Sequence, residues 1–443
     1  MKYVIVGGDA AGMSAAMEIY RHDKEAKITT LDKGQHYSYG QCGLPYVLDG
    51  RVPNAEDVVH KTAAQFNEKY GIDARTGHCV TKVDCIERVV YGYKTDTNEP
   101  FEESYDRLLI ATGAEPRKAL DDADYPLEGI YYFKTIPHTN DVKAKMADVE
   151  HVTIIGGGYI ALELAETFTN AGKKVRMILR GKQVASFLEY SFAEKIHTEL
   201  KEKGVEVIFN EKLLGYEGED HVTAVRTEHA SYPTDIVVEA VGVEPNTAFL
   251  EDSGIYTLKN GAVLVNPHLE TSMQYVYAAG DCASHYHNVK SKNDYIPLGT
   301  TANKQGRLAG LNMAGIPDEF RGIVGTSILK CFDLQIGKTG LNELEVQKAG
   351  YQYETYTHEA GNHAGYYPGV EALTLKIIWR KRTQELLGMQ IIGKEGVDKR
   401  LDVFATALQQ RMTLRDLLDL DLSYAPPFNS VWDPIQQLAK RQF

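Results

Sequence analysis

Cysteine is scarce and unpaired: 443 residues hold five, Cys42, Cys79, Cys85, Cys282 and Cys331, with no CxxC spacing and an odd total. Such a set builds neither a disulfide framework nor a zinc site, and no metal is expected. Long apolar runs are also missing, so no segment reads as a membrane span. The strand beginning at Tyr3 has no basic region, apolar signal core or cleavage site before it, which makes the cytoplasm the expected compartment. Positive charge is short, with 48 Lys and Arg against 61 Asp and Glu and a net charge of -13. That balance argues against nucleic acid as a general partner but leaves room for a local basic pocket. What remains is ample core material: 43% hydrophobic residues over this length support two or three domains.

The stretch SYGQCGLPY, Ser38 to Tyr46, is the most informative. Redox cysteine pairs often have four residues between them, yet the partner position of Cys42 is Val47. A lone thiol can attack a disulfide or persulfide only by keeping one half as a mixed disulfide, or reduce a peroxide by becoming a sulfenic acid. Both routes need a thiolate. Gly43 permits close backbone approach and Pro45 suits a first helical turn, so Cys42 is expected at a helix N-terminus with a lowered thiol pKa. A buried structural role, the usual one for a cysteine, fits Cys79, Cys85, Cys282 and Cys331 better.

Two glycine loops flank this centre in sequence. Tyr3 to Ile19 reads as strand, turn and helix, with Gly7 making the turn, Gly8, Ala10 and Ala11 along it, and Gly12 allowing the helix to pack on the sheet. Asp9 occupies the position of the second glycine, an acid where a diphosphate is expected. The next strand, Lys27 to Leu31, ends at Asp32 and Lys33, and Asp32 is placed to bind ribose hydroxyls. An amphipathic helix is expected between Asp57 and Gly71, and the strand of YDRLLIATGAEP ends in Ala111, Thr112 and Gly113. The second loop, from His151 to Leu179, fills the fingerprint with Gly156, Gly158 and Ala161 and opens a helix carrying Tyr159, Ile160 and Glu163. The acid expected after its second strand is replaced by Leu179, followed by Arg180 and Lys182. Two loops imply two dinucleotides. Further small-residue turns lie at Gly242 and at Gly280 and Asp281, whose carboxylate can hold a polyol hydroxyl; a helix start follows at Pro297 to Gly310 with Thr301 and Ala302.

Along its whole length the chain resembles the pyridine nucleotide-disulfide oxidoreductase family, and within it the single-cysteine coenzyme A disulfide reductase branch, through SYGQCGLPY, GYYPG (Gly365 to Gly369) and LSYAPPFNSVWDP (Leu422 to Pro434). The resemblance implies an α/β fold with two Rossmann-like dinucleotide-binding domains and a C-terminal α+β dimerisation domain. Residues 1-115 and 250-322 would form a discontinuous FAD domain, 116-249 the NAD(P)H domain and 323-443 the interface domain. It further implies FAD, NADPH or NADH as cofactors, coenzyme A as substrate or bound mixed disulfide, and a homodimer with shared active sites. Asp281 would hold the ribityl chain of FAD, with Ala302 and its neighbours over the flavin pyrimidine. Tyr366 and Tyr424 map onto tyrosines that the partner subunit brings to the cysteine. Arg21, Ser38 and Gln41 are the implied coenzyme A contacts. Relatives that reduce oxygen or peroxide carry a histidine where this chain has Ala10, which favours a sulfur substrate. The rhodanese domain that some relatives carry is not expected here.

From Gly325 onward strands are expected at Gly325 to Phe332, Leu373 to Trp379 and Leu386 to Ile392, with helices near Gly396 to Gln409 and Pro434 to Arg441. Three activities remain open: coenzyme A disulfide reduction, reduction of a coenzyme A persulfide or polysulfide with the same parts, and redox sensing by a flavoprotein.

Overall fold

Five short, largely buried strands form the first sheet, in the order Val276–Ala278, Arg107–Ile110, Lys2–Val6, Lys27–Leu31, Asp73–Arg75, all parallel. This is a computed structural model, which describes residues 1–121 and 125–443; the remaining three lie within the segment 116-249. Because Val6 pairs with both Leu31 and Ile110, and Ile110 with Ala278, the residues that follow these strands leave the sheet at one edge. Gly7, Asp32, Ala111 and Ala279 are therefore neighbours although they span most of the first 280 positions. Ligands of open parallel sheets bind at this carboxyl edge. The helices Ala10–His22 and Gly299–Met313 pack closely because Gly306 and Gly310 have no side chains; a Cβ there would lie 2.2 Å from the Ala11 carbonyl oxygen and 2.5 Å from that of Ala15.

The second sheet repeats the device. Its order is Glu206–Ile208, Lys174–Ile178, His151–Ile155, Ile236–Glu239, Ile130–Tyr132, again parallel. Gly156 corresponds to Gly7: φ is +124° and +118°, and a Cβ would collide with the carbonyl oxygen of Ala240 at 2.4 Å and of Ala111 at 2.1 Å, respectively. Only glycine fits either turn.

The third unit is an antiparallel sheet ordered Ser327–Cys331, Leu334–Gly340, Leu386–Gly393, Ala372–Arg380, Tyr353–Gly361, with the helix Val397–Gln409 against it. Two of these strands, Leu334–Gly340 and Tyr353–Gly361, lie outside the strands expected from sequence: the first is interrupted by Gly337 and the second alternates too many polar residues to read as buried. The helix expected from Asp57 is shorter. Thr62 starts it at Ala63 by accepting from the Gln65 N–H at 3.2 Å while its own N–H donates to the Gln65 side chain at 2.9 Å, a reciprocal cap that leaves residues 57–62 outside. The fold is thus α/β with two Rossmann-like units and a C-terminal α+β unit. Polar contacts stitch the third unit to the second: the Asn342 amide donates to the Phe187 carbonyl at 3.1 Å and the Glu343 N–H to the Glu189 carboxylate at 2.9 Å. Among the described residues no helix is long and apolar enough to cross a membrane.

Candidate active site around Cys42

Cys42 lies in the 3-10 turn Gln41–Gly43, just ahead of the helix Pro45–Leu48, where Pro45 takes the first helical position. The loop is tied to the first glycine turn. The Ser38 N–H donates to the Gly8 carbonyl at 2.9 Å, while Asp9 accepts from the Tyr39 N–H at 3.0 Å and the Gln41 side-chain amide at 2.8 Å. Asp9 therefore replaces a fingerprint glycine in order to anchor the cysteine loop. Burial pushes its carboxyl up to about 6 against the pull of those two donors. Ser38 adopts φ +45°, an unusual conformation for a residue with a side chain, held from both sides by the Gly8 contact and by the His60 N–H donating to its carbonyl at 2.8 Å. Val47, at the position of a second redox cysteine, is fully buried with Leu44 and Leu48 in the core shared with the second unit.

The thiol environment corrects the sequence expectation. Cys42 is solvent-exposed, but the surrounding protein and the nearby Glu163 raise its pKa; Lys134 opposes them, and Asp281 and Asp9 add to the upward push. A four-residue helix has too small a dipole to reverse this. Glu163 itself is pushed up to about 7 by burial and by Glu166. Lys134 carried no signal in the sequence, yet it donates to the Gln41 side-chain oxygen at 3.0 Å and lies 4.0 Å from Asp281. The other cysteines form no disulfide and are at least half-buried.

Both cradles fit a dinucleotide. In the first, the Asp32 carboxylate accepts the Gly8 and Gly34 N–H groups at 2.7 Å each, which aims it at the turn. One oxygen of Asp281 is buried without a hydrogen-bond partner, as a carboxylate waiting for a polyol hydroxyl would be. A Cβ on Gly280 would stand 3.0 Å from that of Ala11 and 3.5 Å from that of Ala302, so the two helix starts and the Gly280–Asp281 turn converge. Thr301 is buried beside Ala302, and the Thr112 hydroxyl donates to the Asn246 carbonyl at 2.7 Å, bridging to the second unit. In the second cradle, Gly158 and Gly242 face open space, while Ala161 is buried under the turn and Ile160 packs at the edge of that core. Tyr159 stacks on Phe187 at 4.2 Å and shares a 2.6 Å hydrogen bond with Ser327. Leu179 turns inward against Gly157, and Arg180 and Lys182 are exposed, with Lys182 5.4 Å from the centre of the Tyr190 ring. Lys33 pairs with Glu115 at 3.7 Å; Arg21 sits in the last turn of the first helix, paired with Glu18 at 2.6 Å. No group of described residues has the makings of a metal site.

The charges acting most on Cys42 come from the first two units, whereas Tyr366 and Tyr424 stand on the third. Their hydroxyls are 3.1 Å apart, and the side chains are 75% and 46% exposed. Phe428, Val431, Trp432, Tyr367 and Val370 are exposed on the same two loops. Aromatic and apolar surface of this extent marks an interface.

Two dinucleotide cradles meeting at a single redox-capable thiol define a pyridine nucleotide-dependent redox protein. The chain belongs to the pyridine nucleotide-disulphide oxidoreductase family: that family's model matches residues 1–306 and its dimerisation domain residues 326–434. It is 37% identical to an NAD(P)H sulfur oxidoreductase (CoA-dependent) of Pyrococcus abyssi, over 99% of this chain and 97% of that one. It is 30% identical to the coenzyme A disulfide reductase of Staphylococcus aureus, over 99% and 98%. Among solved structures it matches an engineered water-forming NADPH oxidase bound to NADPH, made from the Lactobacillus brevis NADH oxidase, with TM-score 0.95 and 25% identity over 100% and 98% of the chains.

The ring of charges predicts the direction of thiol titration. Glu163→Gln removes a negative charge and lowers the pH at which iodoacetamide alkylation of Cys42 reaches half its maximal rate; Lys134→Met removes the opposing cation and raises it. The reverse order would contradict the assignment of these neighbours.

Proposed function

We propose that this chain reduces coenzyme A disulfide with NAD(P)H, as an FAD-dependent homodimer in which Cys42 is the redox centre. The isolation of Cys42 carries this reading: with buried Val47 where a second redox cysteine would stand, the loop has no thiol of its own to resolve a mixed disulfide, so half of the substrate stays attached. The Cys42 thiolate attacks one sulfur of the disulfide, a Cys42–S–S–coenzyme A bond forms, and the other coenzyme A leaves as a thiolate that takes a proton. Tyr424 of one subunit, hydrogen-bonded to Tyr366, orients and protonates that leaving thiolate at the Cys42 of its partner. Bound FAD supplies the two-electron relay by which NAD(P)H returns the mixed disulfide to thiolate and free coenzyme A.

Around it, Gly7, Gly8, Ala10, Ala11 and Gly12 form the first cradle, with Asp32, Lys33, Ala111, Thr112 and Gly113 at the adenosine side. Gly280, Asp281, Thr301 and Ala302 hold the ribityl and flavin end. Gly156, Gly158, Tyr159, Ile160, Ala161, Glu163 and Gly242 form the nicotinamide cradle, and Arg21, Ser38 and Gln41 line the coenzyme A path. We set the domain limits at 1-115 with 250-322, 116-249 and 323-443, because the strand Val276–Ala278 and the helix Gly299–Met313 complete the first unit. Five cysteines with no disulfide between them suit the cytoplasm. A coenzyme A persulfide would meet Cys42 as the same kind of sulfur electrophile; the likeness to the Pyrococcus sulfur oxidoreductase favours this as a second substrate.

A mixture of Cys42→Ser subunits with Tyr366→Phe, Tyr424→Phe subunits, after verified exchange, recovers disulfide reduction because each heterodimer has one intact site. Activity no greater than that of the two parents would show that the sites are not shared.

NADPH is used at least as well as NADH. Leu179 removes the carboxylate that would repel the extra phosphate, and Arg180 and Lys182 offer charge-assisted hydrogen bonds of about 1.5 to 3 kcal/mol when well formed, less when exposed to salt. The engineered oxidase bound to NADPH gained an alanine for a glycine and, further along, lost an aspartate and gained an arginine at the next position. Ala161, Leu179 and Arg180 stand at the same intervals. The ratio of kcat/KM for NADPH over NADH falls about tenfold in Arg180→Ala, the worth of about 1.4 kcal/mol; a wild-type preference for NADH of that size would defeat the assignment.

A further inference from the structure

The two loops that carry Tyr366 and Tyr424 are exposed at their tips and pack little, so something beneath must fix the phenols. Beneath them lies Arg400, a fully buried cation 1% exposed. Its guanidinium donates to the Asp433 carboxylate at 3.1 Å, the Gly396 carbonyl at 2.9 Å, the Asn362 carbonyl at 2.7 Å and the Asn429 side-chain oxygen at 3.1 Å. Each loop is closed into a ring at the point where Arg400 holds it. Asn362 and Glu371 bracket Tyr366: the Asn362 N–H donates to the Glu371 carbonyl and the Glu371 N–H to the Asn362 side chain, both at 2.9 Å. The Asn429 amide donates to the Ser423 carbonyl at 3.1 Å, next to Tyr424. The loops are joined where the Ala364 N–H meets the Pro426 carbonyl at 3.3 Å.

We propose that Arg400 is a positioning residue for the reaction: through Asn362 and Asn429 it sets the two loops so that the Tyr366 and Tyr424 hydroxyls stand within hydrogen-bonding distance of each other. A buried ion pair adds little stability over a well-packed apolar substitute, so stability alone gives weak reason for an arginine here. What arginine alone supplies is a planar fork of directional donors that can serve two loops and a counter-charge together. The site excludes anything larger at its edge, since a Cβ on Gly396, already at φ +79°, would lie 2.3 Å from a guanidinium nitrogen. The inference rests on the role proposed above for the tyrosine pair.

The test uses the FAD-loaded dimer with Arg400→Lys and with the milder Asn429→Ala, which keeps the Arg400–Asp433 pair. Both variants are expected to leave NADPH-driven flavin reduction at the wild-type rate and to lower kcat for coenzyme A disulfide about tenfold or more. In a Tyr424→Phe background Asn429→Ala should cost less than twofold further, because the phenol it positions is already gone. Where the tyrosine pair is needed for turnover, a full further loss in that background, or no loss in either variant, overturns the proposal. The geometry is read separately from turnover: with 3-fluorotyrosine, the fluorine signals of Tyr366 and Tyr424, assigned through their Phe variants, should shift in Asn429→Ala, and unshifted signals overturn the proposal whatever turnover does. Wild-type turnover in Tyr366→Phe, Tyr424→Phe would defeat the catalytic role of the pair while shifted fluorine signals still upheld the clamp.

Discussion

The Asp9 carboxylate joins the two halves of the chemistry. By accepting from the Tyr39 N–H and the Gln41 amide it makes the first glycine turn and the Cys42 loop one rigid object. Burying an acid there is costly, which is why its carboxyl is pushed up to about 6, and the cost is offset by donors and by the Gln41–Lys134 contact behind them. Any shift in that turn moves the sulfur. The cradle for the cofactor and the position of the thiol are consequently set by the same few hydrogen bonds.

A similar economy appears at the far end of the chain, where Arg400 ties two surface loops to one helix. The first centre is built from backbone turns whose glycines admit carbonyls at distances no side chain would allow. The second is built around the side-chain donors of Arg400. Around Tyr366 and Tyr424, whose hydroxyls are hydrogen-bonded to each other, the third unit exposes an aromatic surface.

Much of this was legible in the sequence, and the reason is locality. Both glycine turns, the strand Lys27–Leu31 and the helix from Tyr159 are written in consecutive residues, and they fold as read. The missing partner at Val47 was equally plain. Three things depended on distance in the chain and were hidden. Lys134 is an unremarked lysine until folding brings it to Gln41 and Asp281. The raised thiol of Cys42, exposed though it is, comes from the protein packed around it and from charges on Glu163, Asp281 and Asp9, so a local helix-end argument gave the wrong sign. Asp9 read as a flaw in a fingerprint because its partners, Tyr39 and Gln41, lie some thirty positions on.

The central claim is that Cys42 carries one half of the substrate between the two halves of the reaction. Intact mass of the subunit after treatment with coenzyme A disulfide, without added reductant, tests it most directly. One coenzyme A per subunit, absent in Cys42→Ser and released on adding NADPH, is the expected result. No adduct on Cys42 from the disulfide, or an adduct that persists unchanged in Cys42→Ser, would contradict the account.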